Sequence, residues 1–188
     1  MVGVSPAPDF REIKVGVMLK RSQGKSAFTK ENYQRRVFVL DTSALRYFDG
    51  SEKERGDEKG SILVSEMLAV EPVEDGLLTG QKHAFQIAYT YEVDQSTIAL
   101  YVVAPNEGAR DSWITAIRTE ALKHDAQLQE YYHRGILVEG IYNCCGRKMD
   151  MDGCQKASQR SASRFCRYKG LCRIPHLYKR PKARRLEA

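Results

Sequence analysis

The chain has 188 residues, of which 42% are hydrophobic, and it carries a formal net charge of +6 at pH 7. This length fits one domain of ordinary size with an appendage, and the apolar fraction suffices for a compact core. A membrane helix needs roughly 20 consecutive apolar residues; the sequence has no such stretch, and its start has no signal-peptide core. Five clustered cysteines do not match a secreted disulfide framework, so a reducing, cytoplasmic setting is expected.

The net charge is divided unevenly along the chain. Residues 155–188 contain eleven lysines or arginines and one acid, a net charge of +10, whereas residues 1–154 carry 19 basic and 23 acidic groups, or −4. Apolar periodicity also ends before this basic segment, so residues 155–188 are predicted to be a flexible tail. Most such tails are simply solvated; the alternatives are a localisation segment or a segment that contacts a membrane or nucleic acid, of which nucleic acid is the minor possibility.

Between residues 13 and 104 the chain is predicted to form seven short strands. Residues 14–19 alternate in side-chain type, as a half-buried strand does. Charged or glycine-bearing connectors at 51–60 and 74–82 separate some of the later strands. The six later strands are predicted at residues 33–40, 44–48, 61–64, 67–73, 84–89 and 97–103. Seven short strands at this spacing are typical of an antiparallel sandwich or barrel.

A helix is predicted from about residue 107 to residue 124, with Asn106 as its N-cap. Four apolar residues recur at helical spacing and form its predicted buried face: Trp113, Ile114, Ile117 and Ala121. One amphipathic helix after seven strands suggests a barrel that is closed at one end. The predicted fold is therefore mostly β with one C-terminal helix.

The most informative residues follow this helix: His133, Cys144, Cys145 and Cys154. A structural zinc ion takes four nitrogen or sulfur ligands in a tetrahedron, and three cysteines with one histidine are such a set. Neighbouring cysteines are badly placed to form a disulfide with each other. The four residues therefore predict a closed structural zinc site without catalytic chemistry, with a surface histidine and buried thiols as the alternative.

Metal binding is expected to order the segment between His133 and Cys154, because the segment has too few apolar residues to fold unaided. In small zinc modules the metal supplies folding free energy on the order of 10 kcal/mol. Cys166, Cys172 and His176 are a weaker second candidate in the basic tail.

Several stretches carry a resemblance to a known family. They are LKRSQ at 19–23, NY at 32–33, RRVFVL at 35–40, KGSI at 59–62, AFQI at 84–87, LYVVAP at 100–105, YYH at 131–133, GIYNCC at 140–145 and GC at 153–154. With the strands, the helix and the zinc set, they make residues 15–154 similar to a pleckstrin-homology (PH) domain followed by a Btk-type zinc motif. Tec-family tyrosine kinases begin with this pair, and the Ras GTPase-activating proteins that bind inositol tetrakisphosphate carry it near their end.

The resemblance also implies a domain organisation. Residues 1–12 would be an N-terminal extension, 13–125 the seven-stranded PH domain, 126–154 the zinc motif and 155–188 the basic tail. The stretches QGK at 23–25 and LAVEP at 68–72 are closer to the Ras regulators, so either class of parent is open.

Residues 20–36 contain six basic residues against one acid, which indicates either an anion site or a solvated hairpin. The resemblance implies that this region binds phosphatidylinositol 3,4,5-trisphosphate or inositol 1,3,4,5-tetrakisphosphate and recruits its protein from the cytoplasm to the plasma membrane. Strand alternation places Gln34 and Arg36 on one face and Arg35 on the other. The family pattern puts the essential basic residue at Arg36. It implies further contacts from Lys20, Ser22, Gly24, Lys25, Asn32, Tyr47 and Lys59.

Two other functional classes compete with this interpretation. A PH domain that binds proteins without selecting a headgroup is favoured by Gln34, which stands where the family usually has a basic residue. A catalytic domain is disfavoured, because the sequence has no glycine-rich phosphate loop and no evident nucleophile–base pair.

Overall fold

The computed structural model describes residues 11–22, 32–91, 95–129, 131–133, 135–146, 148 and 155–156. Seven of its strands form a single antiparallel sheet in the order β4-β3-β2-β1-β7-β6-β5. These strands are β1 (Glu12–Arg21), β2 (Tyr33–Asp41), β3 (Ala44–Gly50), β4 (Arg55–Leu63), β5 (Met67–Pro72), β6 (Ala84–Thr90) and β7 (Thr97–Val103). The predicted seven strands and their antiparallel arrangement are confirmed.

One predicted connector is wrong. Residues 55–60 do not belong to a loop, because Arg55–Leu63 is one continuous strand, and only the turn from Ser51 to Glu54 precedes it. This strand lies at the edge of the sheet and is mostly exposed. Charged residues are favoured on exposed edge strands, where they discourage pairing with other chains, so the charge pattern resembles that of a loop.

The helix α1 (Glu107–Lys123) begins and ends close to its predicted bounds. The side chain of Asn106 accepts a hydrogen bond from the backbone nitrogen of Ala109 at 2.8 Å, so the predicted N-cap is confirmed. The four predicted apolar residues of the helix are buried. They pack into one core with the inner side chains of the sheet, among them Met18, Phe38, Leu45, Phe85 and Leu100.

A second cluster covers the outer face of β5, β6 and β7. Its cover comes from the chain after the helix, where Ile136, Leu137 and Tyr142 are buried. This segment contains a tight hairpin of β9 (Leu137–Val138) and β10 (Ile141–Tyr142), and β8 (Tyr131–Tyr132) pairs with β11 (Gln155–Lys156). The segment therefore packs on the sheet through these three apolar side chains.

No helix in the described part of the chain is long and apolar enough to cross a bilayer.

Candidate functional site

The end of β1 and the start of β2 bring the predicted basic residues together. Lys20 lies opposite Gln34 in the antiparallel register, and Met18 lies opposite Arg36. Paired residues share a face of a sheet, so Lys20 and Arg36 lie on the inner face, next to the core. Arg35 lies opposite Leu19 on the other face and is exposed.

Arg36 is held by several acceptors. Its Nη2 donates to Oε1 of Gln34 at 2.7 Å, and its Nη1 lies 2.8 Å from Oδ1 of Asp49. The side chain is 16% exposed, and its Nε is buried without a hydrogen-bond partner among the described residues. Buried donors in proteins are nearly always paired, so this guanidinium has one donor that the described residues leave unused. Gln34 thus orients Arg36, although it brings no charge to the site.

Asp49 joins two of the predicted cations. Its Oδ2 lies 2.9 Å from Nζ of Lys59, while its Oδ1 contacts Arg36. The neighbouring carboxylates of Asp49 and Asp57 raise the pKa of Lys59. Asp49 was missed in the sequence, although alternation along β3 puts it on the same face as Tyr47. Arg36 and Lys59 therefore already share one anionic group.

Lys20 lies over the ring of Tyr47. Its Nζ is 5.2 Å from the ring centroid, a cation–π distance. Burial of the ammonium group, and then the nearby charge of Arg36, lower the pKa of Lys20. An anion bound beside Lys20 would oppose both effects, so the position favours a negatively charged ligand.

The remaining predicted contacts lie around the loop that joins β1 to β2. The backbone nitrogen of Ser22 donates to the carbonyl oxygen of Asn32 at 2.7 Å and closes the base of this loop. Asn32 is exposed there. Gly24 and Lys25 lie outside the described residues. The structure therefore brings Lys20, Arg36, Tyr47 and Lys59 together, with Ser22 and Asn32 at the loop base.

His133 is fully buried against Glu71, on the outer face of the sheet, opposite to the face that carries Lys20 and Arg36. Its ring stacks on Tyr142, with centroids 3.5 Å apart and planes within 5°. Its Nδ1 lies 3.4 Å from Oε1 of Glu71, while its Nε2 has no hydrogen-bond partner among the described residues. A buried imidazole nitrogen that lacks a hydrogen-bond partner from the protein is suited to bind a metal ion.

Cys144 and Cys145 lie in the turn that follows Tyr142. Their sulfur atoms are 3.7 Å apart, too far for a disulfide. Two thiolates on one tetrahedral zinc, each about 2.3 Å from the metal, are about 3.8 Å apart. The two sulfur atoms therefore already have the separation that zinc requires.

Gly135 allows this turn to approach the His133 segment. A Cβ at Gly135 would lie 2.7 Å from the nitrogen of Cys144 and 2.8 Å from its Cβ, which no side chain tolerates. Asn143 ties the same two stretches together, because its Oδ1 accepts a hydrogen bond from the nitrogen of Ile136 at 2.9 Å. The turn is therefore held against Gly135 and Ile136.

The fourth predicted ligand, Cys154, lies outside the described residues. Within the described part of the chain, no three histidine, cysteine or acidic side chains form a metal-binding group, so the structure does not bring His133, Cys144 and Cys145 together as a ligand set. Gln155, which follows Cys154 in the sequence, pairs with Tyr132, which precedes His133.

Comparisons with known proteins identify the fold. The family model described as PH domain matches residues 12–121. The chain is 34% identical over 139 residues to the cytoplasmic tyrosine-protein kinase BMX of Homo sapiens. The aligned region covers 73% of this chain and 20% of the kinase. It is 30% identical over 139 residues to the Ras GTPase-activating protein 3 of Bos taurus, and this aligned region covers 73% of this chain and 15% of that protein.

The chain thus spans about a fifth or less of the length of these relatives. Among solved structures, the carboxyl-terminal PH domain of pleckstrin matches with a TM-score of 0.45 and 25% identity, over 60% of this chain and 98% of that one. PH domains are non-catalytic, and the family match covers more than half of the 188 residues. The chain belongs to the PH-domain family.

Proposed function

We propose that this domain binds the multiply phosphorylated headgroup of phosphatidylinositol 3,4,5-trisphosphate, or the equivalent inositol 1,3,4,5-tetrakisphosphate. The observation that carries the proposal is the convergence of Arg36 and Lys59 on one carboxylate, at 2.8 Å and 2.9 Å. Two cations that hold one carboxylate can hold one phosphate, which offers more acceptor oxygens and more charge. Lys20 adds a third cation nearby.

The proposed role is recruitment of a signalling protein from the cytoplasm to the plasma membrane. Binding to vesicles of neutral lipid that contain phosphatidylinositol 3,4,5-trisphosphate tests this role, with the same vesicles lacking that lipid as the control. We expect co-sedimentation only with the trisphosphate, and soluble inositol tetrakisphosphate should compete. Equal binding to both vesicles would contradict the proposal. The two classes of relative make a Tec-type kinase or a Ras regulator the proposed parent.

Asp49 is expected to compete with the headgroup. Asp49→Asn removes the carboxylate that pairs with Arg36 and Lys59, so both cations become available to phosphate. These ion pairs are partly exposed and contribute modestly, so we expect affinity for inositol tetrakisphosphate to rise about two- to fivefold in calorimetric titrations. Asp57→Asn is the matched control, because Asp57 is 89% exposed and contacts only the Lys59 side of the site, at 3.4 Å. Weaker binding by Asp49→Asn would instead show that Asp49 holds Arg36 in place.

Gly60 is expected to be required for the position of Tyr47. A Cβ at Gly60 would lie 2.6 Å from Cζ of Tyr47 and closer still to its hydroxyl, so Gly60→Ala must displace the ring that lies under Lys20. We expect a loss of about 1–3 kcal/mol in the free energy of unfolding and weaker headgroup binding. Gly56→Ala in the same strand is the control, since its nearest contact would be 3.4 Å. Denaturant unfolding and calorimetry measure the two effects, and equal results for both variants would refute the prediction.

We also propose that His133, Cys144, Cys145 and Cys154 hold one structural zinc ion. Three cysteines and one histidine are a donor set that suits zinc. Two observations support the proposal: Nε2 of His133 is buried without a partner among the described residues, and the two described sulfur atoms have the separation of zinc ligands. With four protein ligands the coordination shell of the zinc would be complete, which leaves no position open for water or substrate. Its role is to fasten residues 133–145 to the outer face of the sheet.

A protein-binding PH domain without headgroup selectivity is the second candidate. Gln34 and Asp49 already bind the two terminal nitrogens of Arg36 within the domain, which favours this alternative. The vesicle experiment separates the two, because a protein-binding domain would not distinguish vesicles with the trisphosphate from vesicles without it.

A further inference from the structure

Two polar residues of the sheet lie beneath the zinc-motif segment. Glu71 of β5 and Gln86 of β6 are cross-strand partners on the outer face. Both are buried, at 3% and 0% exposed, in a cluster that is otherwise largely apolar. A buried carboxylate is costly unless it is paired and hydrogen-bonded, so its partners indicate what it does.

Glu71 contacts His133 twice. Its Oε1 lies 3.4 Å from Nδ1 of the ring and 3.4 Å from the backbone nitrogen of the same residue. The hydroxyl of Tyr142, whose ring stacks on His133, also hydrogen-bonds to this carboxylate. One acid therefore contacts the imidazole and the ring that covers it.

Gln86 hydrogen-bonds to the second carboxylate oxygen of Glu71 and to the backbone of Gly135 and Leu137. Its Nε2 donates to Oε2 of Glu71 at 3.2 Å and to the carbonyl oxygen of Gly135 at 3.0 Å. Its Oε1 accepts from the backbone nitrogen of Leu137 at 3.0 Å. The amide thus fixes the backbone on both sides of Ile136 and orients Glu71 toward His133.

We propose that Glu71, oriented by Gln86, is the positioning residue of the zinc site: it accepts the Nδ1 proton of His133 and thereby presents Nε2 to the metal. This inference rests on the proposed zinc site. A neutral imidazole carries its proton on one nitrogen and its lone pair on the other, and the hydrogen bond of the protonated nitrogen selects which is which. Because Nδ1 faces the carboxylate, the lone pair is on Nε2, the buried atom that lacks a partner among the described residues.

Metal affinity in the full chain tests this role. The zinc affinities of the wild type, Glu71→Gln and Glu71→Met are measured by competition with a chromophoric chelator. The glutamine variant keeps one acceptor oxygen, whereas the methionine variant keeps only the approximate volume of the side chain. We expect about tenfold weaker zinc binding for the glutamine variant and up to about a hundredfold for the methionine variant, the usual range for residues that orient a metal ligand. Gln86→Leu should fall between the wild type and Glu71→Met.

Glu120→Gln is the matched control. Glu120 is also a buried glutamate, 3% exposed, and it lies near a histidine and a lysine, His124 at 3.7 Å and Lys123 at 2.8 Å. It belongs to the helix and not to the segment that covers β5 and β6. Zinc affinity should be unchanged in this variant, even if it costs stability.

A spectroscopic measurement separates positioning from general destabilisation. In nitrogen-15 spectra of the zinc-loaded wild type, the His133 ring should show a protonated Nδ1 and a metal-bound Nε2. The cobalt-substituted Glu71→Met protein should show altered absorption bands, whereas Glu120→Gln should match the wild type. The proposal is overturned if wild-type protein binds zinc and both Glu71 variants match its affinity and spectra. If the wild type itself binds no zinc, the proposed zinc site fails and this inference falls with it.

Discussion

Arg36→Ala is expected to weaken binding of inositol 1,3,4,5-tetrakisphosphate by at least about tenfold, because it removes charge-assisted hydrogen bonds that each contribute about 1.5–3 kcal/mol. Arg36 combines a position on the inner face, 16% exposure and a guanidinium fork that suits phosphate oxygens. Calorimetric titration of the soluble headgroup measures the effect without the general attraction of a basic protein to an anionic membrane.

Arg35→Ala provides the matched control. It removes the same charge from the neighbouring position, but Arg35 points to the opposite face and is exposed. We expect its affinity to stay within about twofold of the wild type, since exposed charges are screened. Equal losses in the two variants would mean that only net charge matters, and an unchanged Arg36→Ala protein would remove Arg36 from the site. Thermal unfolding of both variants checks that the fold is intact.

Cys145→Ser is expected to abolish stoichiometric zinc binding. A serine hydroxyl has nearly the size of the thiol but is a poor zinc ligand at neutral pH, and three remaining ligands leave the tetrahedron open. We expect metal analysis to fall from about one zinc per chain to a small fraction of that. The free energy of unfolding should fall by an amount on the order of a few kcal/mol. The sheet core should persist, because it is a separate cluster from the one around the zinc motif.

Cys166→Ser, in the basic tail, is the control for this experiment. It should keep the zinc content of the wild type, because the weaker set of tail residues is not expected to bind the metal. If freshly purified wild-type protein contains no zinc, or if Cys145→Ser retains it, the proposed ligand set is refuted. If Cys166→Ser loses it, the tail participates in the site.

Loss of zinc is also expected to weaken binding at the headgroup site. Leu19 and Tyr33 pack against the cluster that includes Tyr142, as Cys144 and Cys145 also do, and they flank the loop between β1 and β2. Lys20 directly follows Leu19 in β1, so loosening this cluster should loosen the base of the binding loop. We expect Cys145→Ser to bind inositol tetrakisphosphate several-fold more weakly. Wild-type affinity in the zinc-free variant would show that the two sites are independent.

Local patterns predicted most of the fold. The helix and its cap were predictable because apolar spacing and an asparagine cap act over a few residues, and most strands because of their alternation. The first half of β4 was not, because an exposed edge strand carries the charges of a loop. The packing of residues 136–142 was not, because only three of the five apolar residues in this short hairpin are buried, and they show no period that would single them out before the outer face of β5 to β7 is present.

For the site, alternation along β2 was enough to separate Arg36 from Arg35. The acids were not predictable. Asp49 meets Arg36 and Lys59 only because three strands pair in the observed register, and Glu71 meets Gln86 and His133 across 15 and 62 residues of chain. Single polar residues within the apolar stretches LAVEPV and AFQIAY were the only local sign of the buried pair. Such partners depend on tertiary packing, which no local pattern records.

The most direct test of headgroup binding is calorimetric titration of the intact wild-type chain with a panel of soluble inositol phosphates. We predict saturable binding of inositol 1,3,4,5-tetrakisphosphate at one site, much weaker binding of inositol 4-phosphate, and loss of the difference in Arg36→Ala. Absent binding, or equal binding of both ligands by the wild type, would contradict the proposed function.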